Sequence, residues 1–213
     1  MKVSTSILSI KDNFNDNIKI LDNSGTDYIH LDIMDGRFVT NKTWNYDDIK
    51  DVLKDLSTPL DIHLMVSDLD YYISTFSQLK PNNITFHLEA TKNISKYINM
   101  LHDKNINVGL AIKPNTDINL ILPYLKDIDL VLVMGVEPGA GGQKFIESSC
   151  DKIKVLKEIK KLYDYNYIIE VDGGINSDTI KLVSDSGVEL VASGSYITNS
   201  NNYKERINIL RKY

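Results

Sequence analysis

Two short apolar runs carry polar residues at alternate positions: HLDIMDG, residues 30–36, and DIHLMV, residues 61–66. Successive side chains of a β-strand point to opposite faces, so the histidine, the first aspartate and the methionine of each run share one face. Imidazoles and carboxylates inside apolar strands are costly to bury unless a partner satisfies them. The runs therefore predict two buried strands that carry a polar site on one face.

Both runs belong to a regular alternation of short apolar stretches with longer amphipathic stretches. The strand-like stretches are residues 3–8, 27–34, 60–66, 83–88, 107–112, 129–136, 167–172 and 189–194. The helix-like stretches are residues 14–24, 46–56, 69–79, 93–104, 117–125, 148–163, 177–186 and 203–212. Strands that alternate with helices predict a parallel sheet, and eight such units predict a closed (β/α)8 barrel, a TIM barrel. We expect one such α/β domain over residues 1–213, with an open, doubly wound sheet as the alternative.

Composition and charge exclude several classes of protein. The chain has 213 residues, of which 42% are hydrophobic and 25% charged, values typical of one globular domain. Its net charge of −5 argues against a broad nucleic-acid or anionic-membrane surface, and its single cysteine, Cys150, permits no intrachain disulfide. The polar start does not resemble a secretory signal, and charges interrupt each hydrophobic stretch before it reaches membrane-spanning length. We expect a soluble, cytoplasmic protein.

Four polar residues fall at the carboxyl ends of predicted strands, where barrel enzymes build their sites. His30 and Asp32 end the second strand, His63 ends the third, and Asp172 ends the seventh in the run IIEVDGG, residues 168–174. Two neutral imidazoles and two carboxylates predict a site for one divalent metal ion. This donor set suits zinc, manganese, iron(II) or cobalt. The alternative for each residue taken singly is a hydrogen-bonded polar side chain of the core.

Glycines follow the last three predicted strands. They are Gly139, Gly141 and Gly142 around Ala140, then Gly173 and Gly174, and then Gly194 before Ser195. Barrel enzymes often bind phosphate in the loops after strands seven and eight, and glycine allows the backbone to approach a ligand closely. These loops predict a phosphate site, with ordinary turns as the alternative.

Other residues at strand ends support weaker interpretations. Met34, Met65 and Met134 predict a polarizable pocket lining, although core packing is the common role of methionine. His87, in the run TFHLE of residues 85–89, ends the fourth strand and could reach the pocket. Because a structural hydrogen bond is the commoner role for such a residue, we leave His87 out of the predicted site.

Eight ordered strings span nearly the whole chain. They are SILS (6–9), HLDIMDG (30–36), HLMV (63–66), FHLEA (86–90), VGLAIKP (108–114), EPG (137–139) with GGQKF (141–145), EVDGG (170–174) and SGS (193–195). In these strings the chain resembles the ribulose-phosphate 3-epimerase family. The resemblance implies a metal-dependent (β/α)8 barrel that interconverts D-ribulose 5-phosphate and D-xylulose 5-phosphate in the pentose phosphate pathway. Relatives form dimers to hexamers, so it also implies a homo-oligomer.

The resemblance further implies roles for individual residues. His30, Asp32, His63 and Asp172 would bind the metal, with Asp32 and Asp172 as the acid–base pair. Ser6, His63, Asp172, the glycine loops with Ala140, and Ser195 would contact the substrate. Epimerisation at C3 takes a proton from one face of a planar cis-enediolate and returns one to the other, which requires two acid–base groups on opposite sides. Asp32 and Asp172 come from well-separated strands, as that chemistry needs.

Departures from the family pattern lie in two predicted loops over the mouth of the barrel. Arg37 stands where the family usually has His, Thr40 where it has Pro, Trp44-Asn45 replaces a small turn, and Ala140 replaces a bulky Phe. None of these is a predicted metal ligand, so the reaction type is unaffected. The substrate stays open, because a smaller residue over the pocket could admit D-allulose 6-phosphate, which is one carbon longer.

Two functions of other classes are weaker alternatives. Sugar-phosphate decarboxylases on this fold usually carry an Asp-x-Lys-x-x-Asp string with a catalytic lysine inside the barrel, and this chain has none at a strand end. A non-catalytic sugar-phosphate-binding barrel would need no metal ion.

Overall fold

The structure, a computed structural model, describes residues 1–213 and contains eight strands. In chain order they are β1 Lys2–Ser6, β2 Tyr28–Met34, β3 Leu60–Met65, β4 Asn83–His87, β5 Asn107–Ile112, β6 Leu130–Met134, β7 Ile168–Asp172 and β8 Leu190–Ser193. Each strand pairs in parallel with its neighbours in sequence, and β8 pairs with β1. The sheet is therefore a closed barrel, which confirms the predicted (β/α)8 fold and excludes the open sheet.

Eight α-helices accompany the strands. They are α1 Phe14–Asp22, α2 Tyr46–Leu53, α3 Leu69–Phe76, α4 Ile94–His102, α5 Ser149–Tyr163, α6 Ile180–Ser186, α7 Ser195–Thr198 and α8 Tyr203–Arg211. Polar side chains define several starts: those of Asp68, Asn93 and Asn202 accept the N–H three residues further on, at the beginning of α3, α4 and α8. None of the helices has the length and apolar character needed to cross a membrane.

Three segments differ from the predicted helices. Residues predicted as a helix at 117–125 form two 3-10 helices, Ile118–Leu120 and Leu122–Asp127. Pro123 lies in the first turn of the second and has no N–H to donate, which favours short turns over one continuous helix. The helix predicted from residue 177 begins at Ile180, because the Asn176 side chain accepts the N–H groups of the next turn. The four-residue α7 after β8 was not predicted.

Apolar residues pack on both sides of the barrel wall. A cluster of 48 buried residues fills the space around the strands and helices, while a second cluster of six belongs mainly to β5, β6 and β8. Buried polar residues instead come largely from β1 to β4, with Glu170 on β7. The barrel is therefore chemically two-sided, and its polar half supports the site.

Strand register places the polar residues side by side. His30 on β2 pairs with Asp61 on β3, and Asp32 pairs with His63. On the opposite side of the barrel, Met134 on β6 pairs with Asp172 on β7. Because side chains alternate along a strand, this register brings the polar residues of β2 and β3 to the same face.

Truncation of the apolar wall behind the site should destabilise the barrel. Ile62 on β3 has no exposed surface and belongs to the larger apolar cluster. Ile62→Ala should lower the free energy of unfolding by about 2–5 kcal/mol, because it removes buried methyl groups and leaves a cavity. Leu162→Ala is the control, since 74% of Leu162 is exposed and its loss should change stability by less than about 0.5 kcal/mol. Equal effects in urea denaturation would contradict this packing.

Candidate metal centre and adjoining pocket

Four side chains converge at the carboxyl ends of β2, β3 and β7. One ligand atom from each of His30, Asp32, His63 and Asp172 lies within 4.8 Å of the others. The side chains of both histidines are fully buried, and those of Asp32 and Asp172 are 5% and 16% exposed. The structure thus brings together all four residues that the strand pattern predicted as one site.

The buried carboxylate of Asp61 on the neighbouring strand β3 orients His30. Its Nδ1 lies 2.7 Å from Oδ2 of Asp61, which also accepts a hydrogen bond from the Ser4 hydroxyl at 2.7 Å. The Nδ2 amide of Asn83 donates to the other oxygen of Asp61 at 2.6 Å. A carboxylate that is oriented in this way fixes the proton of His30 on Nδ1 and leaves Nε2 to face the cluster.

The surroundings of His30 Nε2 suit a cation. This atom is buried, has no hydrogen-bond partner and lies 3.4 Å from Oδ1 of Asp32. Burial disfavours a charged imidazole, but the negative charges of Asp61 and Asp32 raise the pKa of His30 well above its usual value. The site therefore favours positive charge beside Nε2, and a metal ion bound there would take the place of a proton. The donor set fits zinc, manganese, iron(II) or cobalt.

His63 presents its other ring nitrogen to the cluster. Its Nδ1 lies 3.2 Å from Oδ1 of Asp32 and 3.6 Å from Oδ2 of Asp172. Its Nε2 lies 2.9 Å from Nε2 of His87. Both of its nitrogens therefore face polar groups, and His87 contacts the site through His63.

The two carboxylates of the cluster differ in basicity. Burial opposes ionisation of Asp32, but His30 and His63 hold the pKa of this carboxyl well below its usual value. Oδ2 of Asp32 also accepts a hydrogen bond from the Ser6 hydroxyl at 2.7 Å. For Asp172, burial and the charge of Asp32 raise the pKa to about 6. Such an unequal pair is typical of acid–base sites.

A deeper polar layer was not included in the predicted site. Asp61 and Glu170 lie two residues before His63 and Asp172, so the strand period that located the upper residues also places these two on the inner face. Glu170 is fully buried and neither of its carboxyl oxygens has a hydrogen-bond partner. Burial and the nearby charge of Asp61 raise the pKa of Glu170 well above its usual value.

A cavity of about 300 Å³ opens beside the cluster, a size suited to a small ligand. The predicted pocket residues that line it are Ser6, Asp32, Met34, Met65, Met134, Gly139, Ala140, Gly141, Gly142, Asp172, Gly173, Gly174, Gly194 and Ser195. His30 and His63 do not line it but lie behind the carboxylates. The predicted ligands and the predicted pocket residues therefore form one continuous region.

The Gly173-Gly174 turn is also required by packing. Both residues have positive φ, at +105° and +71°. A Cβ on Gly173 would lie 2.3 Å from a methyl of Val136, and one on Gly174 would lie 2.6 Å from the backbone N of Phe145. These glycines therefore serve the turn itself as well as lining the cavity.

Two amide side chains support the loop over the cavity. The Asn41 amide donates to the carbonyl of Gly139 at 2.7 Å, and the Gln143 amide donates to the carbonyls of Glu137 and Ala140 at 2.7 and 2.8 Å. Asn41 follows β2, so this contact joins the loop after β2 to the loop after β6. The role of Asn41 was not predicted, because nothing in the local sequence indicates this partner 98 positions away.

Only one of the departures from the family pattern lines the cavity, and that residue is Ala140. Trp44 instead packs its ring against Phe14, with the centroids 5.6 Å apart. The following residue, Asn45, donates its N–H to the Asp48 carboxylate at the start of α2. Arg37 and Thr40 also lie outside the lining. Ala140 is therefore the one departure that can directly affect which substrate the cavity admits.

Comparisons with known proteins agree with this arrangement. A model of the ribulose-phosphate 3 epimerase family matches residues 2–198. The ribulose-phosphate 3-epimerase of Bacillus subtilis is 36% identical over 216 residues, covering 99% of this chain and 98% of that protein. The enzyme of the same name from Buchnera aphidicola is 39% identical over 191 residues, covering 88% and 84%. The solved structure of 3-hexulose-6-phosphate synthase from Salmonella typhimurium has a TM-score of 0.68 at 14% identity, covering 100% and 97%, which shows a shared fold alone.

Removal of one imidazole should weaken metal binding. His63→Ala should reduce the affinity for Mn²⁺ at least tenfold, since even losses of groups behind a ligand cost about 10–100-fold. Titration calorimetry of chelator-treated protein measures this change. His102→Ala is the matched control, because His102 lies on the exposed side of α4 and should leave the affinity unchanged. Equal affinity of His63→Ala and the unaltered protein would remove His63 from the metal site.

Proposed function

The chain belongs to the ribulose-phosphate 3-epimerase family, and on that premise we propose that it interconverts D-ribulose 5-phosphate and D-xylulose 5-phosphate. One divalent ion would be held by His30, Asp32, His63 and Asp172. The observation that carries the proposal is the convergence of these four side chains within 4.8 Å, beside a cavity lined by glycine loops. The reaction is a step of the pentose phosphate pathway.

A bound ion of zinc, manganese, iron(II) or cobalt supplies a Lewis acid that stabilises negative charge on the substrate. The chain provides the orientation of its ligands. Asp61 directs Nε2 of His30 toward the cluster, and Ser6 holds Asp32 by a hydrogen bond of 2.7 Å.

Asp32 and Asp172 transfer the protons. They lie on β2 and β7, with β1 and β8 between them in the barrel, so their carboxylates approach a ligand from different sides. One takes the C3 proton and the other returns a proton to the opposite face of the planar cis-enediolate. Asp172, whose pKa is raised to about 6, is the more basic of the two, while Asp32 is held ionised by His30 and His63. Reversal of the reaction exchanges their roles.

The rest of the pocket positions the sugar phosphate. Backbone N–H groups of the loops after β7 and β8 bind the phosphate, at Gly173-Gly174 and Gly194-Ser195. Met34, Met65 and Met134 are each at most 2% exposed and form an apolar wall that limits water around the enediolate.

The protein acts in the cytoplasm as a homo-oligomer and binds neither nucleic acid nor membranes.

A second candidate substrate is D-allulose 6-phosphate, converted by the same mechanism. Ala140 lines both the 300 Å³ cavity and an adjoining cavity of about 880 Å³, so the pocket continues past the small residue of the loop. A decarboxylase of the lysine-dependent class is not favoured, because no lysine lines the smaller cavity. A non-catalytic sugar-phosphate-binding protein is distinguished by the absence of turnover.

Loss of one acid–base group should stop epimerisation. Asp172→Asn should lower turnover of D-ribulose 5-phosphate, at saturating Mn²⁺, by at least about 10²–10⁴-fold, the usual contribution of such a group. A coupled assay of D-xylulose 5-phosphate measures it, and deuterium exchange at C3 shows whether Asp32 still acts on one face. Asp178→Asn, on an exposed turn, is the control. Normal turnover in Asp172→Asn would exclude this mechanism, and no turnover in the unaltered protein would exclude the function.

The residue at position 140 should set the length of the accepted sugar. Ala140→Phe should raise kcat/KM for D-ribulose 5-phosphate and lower it for D-allulose 6-phosphate, because the ring fills the space between the two cavities. A pocket-filling change of about 1–3 kcal/mol would alter the ratio of the two values by about 5- to 150-fold. Arg37→His is the matched control, since it also restores a usual family residue but lies outside the lining. An unchanged ratio in Ala140→Phe would show that this position does not select the substrate.

A further inference from the structure

We propose that His87 and Glu89 are positioning residues that hold His63 in the tautomer with its proton on Nε2, so that the lone pair of Nδ1 faces Asp32 and Asp172. The proposal rests on the proposed function, because it takes His63 as a metal ligand. The strand pattern favoured a structural role for His87, and the contact with His63 gives it a specific task.

The three side chains form a continuous polar chain that leads away from the cluster. Nε2 of His63 lies 2.9 Å from Nε2 of His87, and Nδ1 of His87 lies 3.1 Å from Oε2 of Glu89. Both imidazole side chains are fully buried. Because no water-exposed surface is available to these nitrogens, each of them must be satisfied by its neighbour in the chain.

Glu89 determines the direction of the protons. Its Oε1 accepts the backbone N–H of Lys113 at 2.9 Å and the hydroxyl of Thr116. An ionised carboxylate only accepts hydrogen bonds, so Nδ1 of His87 must carry a proton toward Oε2. Neutral His87 then has a lone pair on Nε2, and the facing Nε2 of His63 must donate. Nδ1 of His63 is left without a proton, as a metal ligand requires.

Without this chain the other tautomer of His63 would be favoured. Nδ1 of His63 lies 3.2 Å from Oδ1 of Asp32 and 3.6 Å from Oδ2 of Asp172, and both of these oxygens are acceptors. They attract a proton to Nδ1, where it would occupy the lone pair. His87 and Glu89 therefore oppose a preference that the metal ligands themselves create.

The chain is also held in place from outside. The Phe38 ring packs on His87 with the centroids 4.9 Å apart, and Lys152 donates to the backbone carbonyl of Thr116. Glu89 is thus fixed from the loop after β5, while His87 is covered by the loop after β2. His30 is oriented independently by Asp61, so a change at Glu89 should affect one imidazole of the site and leave the other unaffected.

The test replaces the terminal carboxylate by an amide. In Glu89→Gln the NH₂ group must face either the N–H of Lys113 or Nδ1 of His87. In the first orientation the NH₂ group and the Lys113 N–H, both hydrogen-bond donors, face each other, which is unfavourable. In the second, Nδ1 of His87 must accept a hydrogen bond, so the His87 proton moves to Nε2 and the His63 proton moves to Nδ1. Long-range proton–nitrogen NMR of the metal-free full chain should show Nε2–H for His63 in the unaltered protein. It should show a population of Nδ1–H in Glu89→Gln, with His30 unchanged.

Metal affinity gives a second readout. Glu89→Gln should weaken Mn²⁺ binding about 10–100-fold, whereas Glu158→Gln on the exposed side of α5 should not change it. His87→Gln, whose amide oxygen can accept from Nε2 of His63, should retain more affinity than His87→Leu, and this pair decides the matter if Glu89→Gln does not fold. Nδ1–H on His63 in the unaltered protein, or equal affinity of His87→Gln and His87→Leu, would overturn the proposal. Absence of epimerase activity alongside the expected tautomers would overturn only the proposed function.

Discussion

The register of β2 against β3 is the constraint on which the site depends. It pairs His30 with Asp61 and Asp32 with His63, so that each histidine lies beside a carboxylate of the neighbouring strand. A slip of β2 by one residue would turn His30 and Asp32 outward against the helices and place Leu31 inside the barrel, away from the polar residues of β3. The apolar residues between the polar ones are fully buried in the larger cluster, so burial of the wall and formation of the site depend on the same register.

Buried negative charge is the cost of this arrangement. Asp32, Asp61, Glu170 and Asp172 come together with His30 and His63, and only Asp172 among them is more than 5% exposed. Carboxylates buried near each other are unfavourable unless a cation or a proton compensates them. Burial and this excess of negative charge raise the pKa values of Glu170 and Asp172. The same negative charge surrounds Nε2 of His30, which has no hydrogen-bond partner. A divalent ion would relieve this repulsion, so metal binding would stabilise the barrel.

Strand periodicity predicted most of the fold and the upper layer of the site, because both depend on which face a side chain occupies. It placed His30, Asp32, His63 and Asp172 together without information on pairing. It did not predict the partners, since the contact of His63 with His87 depends on the spacing of neighbouring strands and on ring orientation. Asn41 escaped prediction because its partner lies in a distant loop. The helix predicted around Pro123 was wrong, because the amphipathic spacing continues through a proline that has no N–H for a helical hydrogen bond.

The division between strands and loops would allow the proposed reaction to accommodate sugars of different length. The residues proposed to transfer protons, Asp32 and Asp172, project from strands that are paired on both sides, so their geometry tolerates little change. Ala140 lies in a loop that is held by amide contacts from Asn41 and Gln143 to backbone carbonyls, which do not depend on the side chain at position 140. Substitution there changes the volume of the pocket and leaves the loop supports and the proton-transfer groups in place. On the proposed function the chemistry is therefore set by the barrel, whereas the length of the sugar would be set by a residue that the barrel does not constrain.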